Sequence, residues 1–250
     1  MTTQHTYAPV DHPGVEVPDH LRSWDTPWPD YTPVDITPPE LRPDALTDPA
    51  PWITDPVATP QEVADWSCRL ARAVVPYRLD TAGWPLNPAG RTGRSGRDLG
   101  GWGENAAADP IVIAGAGDDL QILLIRRGDT GAWAFPGGMV DAGESAQEAA
   151  LRELEEEAGL DLSGVASHTL ARAYVPDRRA TDHAWVATTA ILYRLPEPVA
   201  VVAGDDAAEA RWWPLTSAAR LVQDLAGDGG LYAAHRPLLS MAIEQIAGRP

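Results

Sequence analysis

Glu153, Glu156 and Glu157 stand at i, i+3 and i+4 in a stretch that reads as a single helix. That spacing puts three carboxylates on one helical face, with Cβ atoms about 5–6 Å apart. Like charges so placed repel and destabilise a helix, so the pattern calls for a compensating cation. Hard divalent ions such as Mg²⁺ or Mn²⁺ take oxygen ligands and are held through carboxylates together with substrate phosphates. Arg152, next to the cluster, is a second source of positive charge, and its planar guanidinium matches carboxylate geometry. On charge alone, the same three residues describe a solvated acidic face.

The flanking residues set the frame. Ser145 followed by Glu148 is a capping-box pattern that starts a helix at 145, and Gly159 stops it. Leu151, Leu154 and Ala158 form a separate stripe that faces a core. Glu148 and Glu155 are left to capping and solvent. Read from Gly138, five residues lead to Glu144 and seven more to Arg152-Glu153-Leu154; single residues then separate Glu156-Glu157 and Gly159-Leu160. The segment resembles the Nudix box at every fixed position.

The resemblance implies an α/β fold: an α/β/α sandwich around a mixed sheet. It implies hydrolysis of a nucleoside diphosphate linked to another moiety, with Mg²⁺ or Mn²⁺. Glu153, Glu156 and Glu157 would be the metal ligands, directly or through water, with Glu144 in the outer coordination sphere. Arg152 would orient the carboxylates, and Gly137 and Gly138 would let the backbone approach the metal. The base that accepts the proton of the attacking water varies in such enzymes. Here Asp205, Asp206, Glu209 and the box glutamates all remain candidates.

Further segments narrow the group. NPAGRTGRSGRDLGGWGENAAADPI (87–111), GAWAFPGGMVDAGE (131–144), YVPDRRATDHAW (174–185), GDDA (204–207) and YAAH (232–235) resemble one branch of the Nudix family. That branch holds animal ADP-ribose pyrophosphatases and the ADP-ribose-binding tail of a melastatin-type cation channel. ADP-ribose is therefore the expected small-molecule substrate. Asp177 and Arg179 would contact its terminal ribose or diphosphate, Tyr232 and His235 would lie near a ribose, and Trp133 or Phe135 could stack on adenine. Two positions depart from the pattern: Ala234 replaces a small polar residue, and Arg178 a proline or aromatic. NADH or a nucleotide sugar are the alternative substrates, and a non-catalytic ADP-ribose binder is the alternative role. The intact box favours catalysis.

The rest of the chain must position these residues. Its 250 residues, 44% hydrophobic, suffice for one large or two small domains. The expected division is an N-terminal arm and small accessory subdomain over 1–105 and a catalytic domain over 106–250. Trp24, Trp28, Tyr31 and Trp52 punctuate the Pro-rich first part and should dock on folded structure. A helix is expected at 61–75, with Cys68 as core filler, then a Gly-rich stretch over 83–110 that is either an ordered loop or a linker. The glycines and arginines of 90–97 could form a phosphate-binding nest, though a crossover loop fits better. Strands are expected at 111–115, 121–127, 168–175, 185–195 and 210–215, the last with one of Trp212 and Trp213 facing the core, and helices at 145–158, 217–226 and 231–247. A net charge of −17 argues against nucleic acid, because such binding needs basic surface. No apolar run is long enough to cross a bilayer, no basic leader is apparent, and one cysteine suits a reducing cytoplasm. Oligomeric state is not legible.

Overall fold

The computed structural model of the chain describes residues 13–204 and 207–247. In chain order its strands are β1 (Val34–Asp35), β2 (Arg78–Leu79), β3 (Pro85–Leu86), β4 (Arg94–Ser95), β5 (Gly103–Ala114), β6 (Gln121–Arg127), β7 (Trp133–Ala134), β8 (Gly138–Met139), β9 (Ser167–Val175), β10 (Ala184–Leu195) and β11 (Ala207–Pro214). Its α-helices are α1 (Trp66–Arg72), α2 (Ala146–Ala158), α3 (Ala218–Leu225) and α4 (Arg236–Ala247). They form two compact units. The first takes residues 13–106 together with 173–187; the second takes 107–172, 188–204 and 207–247.

The first unit has little regular structure and is held by buried polar groups. Arg91, Arg94 and Arg97 point inward. Arg91 donates to the carbonyls of Leu21, Ser23 and Thr26, and stacks between Trp24 and Tyr31. Arg97 donates to the carbonyls of Gly100 and Val57 and lies over Trp102. The arginines of the Gly-rich segment thus satisfy backbone carbonyls that have few strands to pair with. The Pro-rich arm docks through Trp24 and Tyr31, whereas Trp52, against expectation, is 50% exposed. Trp24 Nε1 donates to the Asn87 carbonyl, and Tyr31 Oη donates to Asp182, which also accepts from the Thr92 amide and hydroxyl. Burial and the Asp182 charge push the Tyr31 phenol well above its usual range, so it stays a donor.

Two further expectations fail here. The helix at 61–75 is cut to Trp66–Arg72, and it buries none of its own residues. Its ordering contacts are polar: Arg69 pairs with Asp55 and Asp65, and Glu104 accepts the amides of Val74 and Val75 beyond its end. Cys68 is accordingly exposed and fills no core.

The second unit is built on a sheet ordered β11-β6-β5-β10-β9, with β7 paired to β6 and β8 to β5. The period of two in a strand explains its layers. On β6, Ile122 and Leu124 enter one core cluster while Leu123 and Ile125 enter the other; on β5, Ile111 and Ile113 oppose Val112 and Ala108. The first cluster is closed by Leu221, Leu225, Leu238 and Leu239 of α3 and α4, the second by Ala149, Ala150 and Leu154 of α2. The result is the α/β/α sandwich expected. Each fully buried Leu or Ile contributes roughly 1.5–3 kcal/mol.

α2 is as its sequence demands. The Ser145 hydroxyl accepts from the Glu148 amide, Glu148 accepts from the Ser145 amide, and Gly159 caps the far end at φ 61°. Strand β5 begins at Gly103, well before the expected 111. Pro110 hides this, because proline is unusual inside a central strand. It is tolerated because it lies between the two pairings on that edge, Ala107 and Ala108 with β8, and Ile113 and Ala114 with β6. At the C-terminus a 3-10 turn at Ala233–His235 precedes α4, so Tyr232 lies ahead of the helix. Trp212 and Trp213 both pack, on opposite faces, because both faces of β11 are covered. No described helix is long and apolar enough to cross a membrane.

Candidate active site

Strand β8 runs into the loop that leads to α2, and this places Gly137, Gly138 and Glu144 beside the carboxylate face of the helix. Arg152 is the hub. Its Nε and Nη2 donate to the two oxygens of Glu144, both at 3.0 Å. Its Nη1 donates to Glu153 at 2.8 Å and to Glu156 at 3.0 Å, and Nη2 also donates to the Met139 carbonyl at 2.9 Å. All five donors of the guanidinium are engaged. Bonding to Glu144, then to Glu153 and Glu156, raises the Arg152 pKa further, and Arg152 holds Glu144 below the usual carboxylate range.

Glu153 and Glu157 are buried, at 9% and 6% exposed, whereas Glu156 is open to solvent. Glu157 accepts the Gly137 amide at 2.8 Å. The three carboxylates therefore share a face without sharing a focus. Among the described residues no three His, Cys, Asp or Glu side chains close on one point as a metal cluster does. Arg152 bonds Glu153 and Glu156, and the Gly137 amide donates to Glu157.

The donors nevertheless suit a hard divalent ion. All are carboxylate oxygens, two are held in buried positions, and backbone replaces side chain beside them. A Cβ on Gly138 would fall 2.2 Å from Glu153 Oε1, so the glycine keeps that approach open. Mg²⁺ needs only one or two protein carboxylates and takes its other ligands from water and substrate phosphate.

The remaining candidates divide. Phe135 and Trp133 point to the same core face and are buried, so neither offers a face to adenine. Trp133 sits edge-on to Trp213, with Arg211 lying over both rings. Phe135 stacks on His235, with centroids 5.1 Å apart, and its amide donates to His235 Nδ1 at 2.9 Å. Burial lowers the His235 pKa, which keeps the ring neutral. Tyr232 meets His235 edge-on and carries Arg127 over its ring. Ala234 is buried behind them. Glu209 pairs with Arg211 at 3.5 Å, while Asp205 and Asp206 lie outside the described residues.

Asp177 and Arg179 belong to the first unit, where they close on each other. Arg179 Nε and Nη2 donate to the two Asp177 oxygens at 2.9 and 2.8 Å, and the Arg179 amide donates to Oδ1 at 2.8 Å. Arg178 is exposed. Burial pushes the Asp177 pKa up, but the Arg179 guanidinium and amide outweigh it and leave the group below its ordinary 3.8. A depressed folded pKa contributes stability that is present above pH 3.8 and lost as pH falls through the lower folded value. Asp177→Asn should therefore flatten the acid limb of the melting temperature against pH. An unaltered acid limb in that variant would count against the pair.

Sequence comparison adds the lineage. Residues 105–234, just over half of the chain, match the family described as NUDIX domain, and residues 17–103 match the NUDT9-like N-terminal domain. The chain belongs to the Nudix family. Putative nudix hydrolase 6 of Caenorhabditis elegans is 37% identical over 246 residues, covering 92% of this chain and 90% of that protein. The mitochondrial ADP-ribose pyrophosphatase of Rattus norvegicus is 31% identical over 271 residues, covering 92% of this chain and 73% of that protein. A melastatin-type channel of Nematostella vectensis, transient receptor potential cation channel subfamily M member-like 2, is 33% identical over 265 residues; the match covers 89% of this chain and 16% of the channel.

The Nudix box was legible by spacing. Asp109, on β5 beside Gly137, was not singled out. Its signal was a lone acid in the otherwise apolar run AAADPIVIA.

Proposed function

We propose that this chain is a metal-dependent hydrolase of ADP-ribose, which splits the pyrophosphate bond with water to give AMP and ribose 5-phosphate. The main support is that the box and the N-terminal domain together have a counterpart along 92% of the chain in a relative named ADP-ribose pyrophosphatase. The intact set of Arg152, Glu153, Glu156 and Glu157 supports catalysis over binding alone.

Glu153, Glu156 and Glu157, with the backbone at Gly137, would hold Mg²⁺ or Mn²⁺, which when bound neutralises diphosphate charge and acidifies water. Arg152 holds Glu144 below the usual carboxylate range and fixes both Glu153 and Glu144 by hydrogen bonds, so the acidic site is ordered before substrate arrives. The Gly137 amide fixes Glu157 in the same way. The proton of the attacking water passes to a carboxylate. Glu209 and the box glutamates are the candidates among the described residues.

The substrate is tested by comparing ADP-ribose, NADH and ADP-glucose with Mg²⁺. ADP-ribose is expected to lead in kcat/KM by at least about ten-fold, roughly 1.4 kcal/mol of transition-state binding. A lead by either competitor would reassign the substrate. Tight ADP-ribose binding with no turnover of any of the three would contradict hydrolysis.

A further inference from the structure

Glu156 and Glu157 stand on the last turn of α2, where a helix frays most easily. The final four carbonyls of a helix have no partner within it. Gly159 and Leu160 close the end from the helix side, their amides donating to the carbonyls of Glu155 and Leu154. The carbonyls of Glu157 and Ala158 are answered from elsewhere. The Val202 amide donates to Ala158 at 3.0 Å, and the Gly204 amide donates to Glu157 at 3.3 Å.

Both donors belong to the segment 199–204, which follows β10 and crosses the end of α2 as a strap. Val201 and Ala203 pack against the core cluster that α2 closes, while Val199 and Val202 are exposed. Trp212 of β11 fastens the far end. Its Nε1 donates to the Val199 carbonyl at 2.7 Å, and its ring packs on the same cluster. Gly204 lets the strap lie close. A Cβ there would fall 2.5 Å from the Glu156 carbonyl oxygen, and backbone cannot swing aside as a side chain can. Gly204 is outside the left-handed region, so this contact alone bars a side chain.

We infer that the segment 199–204 positions the carboxylates of the box, with Gly204 and Trp212 as its positioning residues. They act through backbone. Arg152 and the Gly137 amide hold the carboxylate tips, whereas the strap holds the turn from which Glu156 and Glu157 project. Tied down, that turn keeps both acids on the face of Glu153; frayed, it releases them. That these acids take a divalent ion rests on the function proposed above.

The test is Mn²⁺ binding to the full chain by electron paramagnetic resonance, beside kcat and KM for ADP-ribose with Mg²⁺ and melting by circular dichroism. The proteins are wild type, Gly204→Ala, Trp212→Phe and Leu225→Ala. Gly204→Ala should weaken Mn²⁺ binding and lower kcat by about 10- to 100-fold each, the range for losing a group that orients metal ligands. Trp212→Phe keeps a ring and loses the N–H, so the same two quantities should fall by about two- to ten-fold, the scale of one hydrogen bond. Leu225→Ala opens the other core cluster, where Leu225 is fully buried, and should melt lower with Mn²⁺ affinity intact. Wild-type Mn²⁺ affinity in Gly204→Ala and Trp212→Phe would overturn the inference, whatever their melting temperatures, because the strap would then be a structural cap alone. An equal loss of Mn²⁺ affinity in Leu225→Ala would also overturn it, by tracing the effect to general stability. Should Gly204→Ala fail to fold, Trp212→Phe decides. A wild type that binds Mn²⁺ but leaves ADP-ribose intact would sink the substrate reading alone, and the strap would be judged on Mn²⁺. A wild type that binds no Mn²⁺ would sink both.

Discussion

Replacing Glu156 and Glu157 together by glutamine is expected to lower kcat by about 10²- to 10³-fold or more, the scale of losing a preorganised electrostatic stabiliser of a transition state. The fold should survive. Glu156 is open to solvent and shares Arg152 with Glu144 and Glu153, so its charge is dispensable to packing. Glu157 is buried, yet its structural duty is to accept the Gly137 amide at 2.8 Å, which an amide oxygen can also do. Removing two of three neighbouring anions also relieves repulsion along α2. The variant should therefore melt close to wild type while its turnover collapses. Steady-state kinetics beside circular-dichroism melting separates the two. Wild-type kcat in this variant would remove the box from the chemistry.

Gly137→Ala is expected to destabilise the protein by about 3 kcal/mol. Gly137 has φ 151°, a conformation that L side chains rarely adopt, and strain of that kind costs roughly 1–3 kcal/mol. Its Cβ would also sit 2.6 Å from both the Ala108 carbonyl and Asp109 Oδ1. Ala108 cannot simply retreat, since it pairs with Gly138 in the β5–β8 register. Overpacking of that kind adds roughly 1–3 kcal/mol. For a chain of this size the sum lowers Tm by roughly 5–10 °C. Gly143→Ala is the control: φ is 88°, but a Cβ there meets nothing within 4 Å, so strain acts alone. Equal losses in the two variants would show that the contact with β5 contributes nothing.

The site was most legible where local rules and chemistry coincide. Ser145, Glu148 and Gly159 mark the ends of α2 by capping chemistry, and the spacing of Arg152, Glu153, Glu156 and Glu157 follows from one helical face. What the carboxylates touch was not legible, because it depends on β8 and its loop returning against α2. Sequence spacing puts three acids on one face; only tertiary structure shows Arg152 drawing two of them aside. The aromatic candidates failed for a related reason. Trp133 and Phe135 stood as open candidates to stack on adenine, but tertiary packing buries both in one core cluster. Pro110 concealed the start of β5, and with it Asp109. The first unit was the least legible part. Its order comes from Arg91, Arg97 and Asp182 bonding to groups up to 151 positions away in sequence, and no local pattern encodes such pairs.

The most direct test of the central claim is AMP release from ADP-ribose, followed by chromatography with Mg²⁺ and again with excess chelator. Equimolar AMP and ribose 5-phosphate with Mg²⁺, and neither with chelator, is the expected result. Equal release in both conditions, or none with Mg²⁺ despite bound ADP-ribose, would contradict a metal-dependent pyrophosphatase.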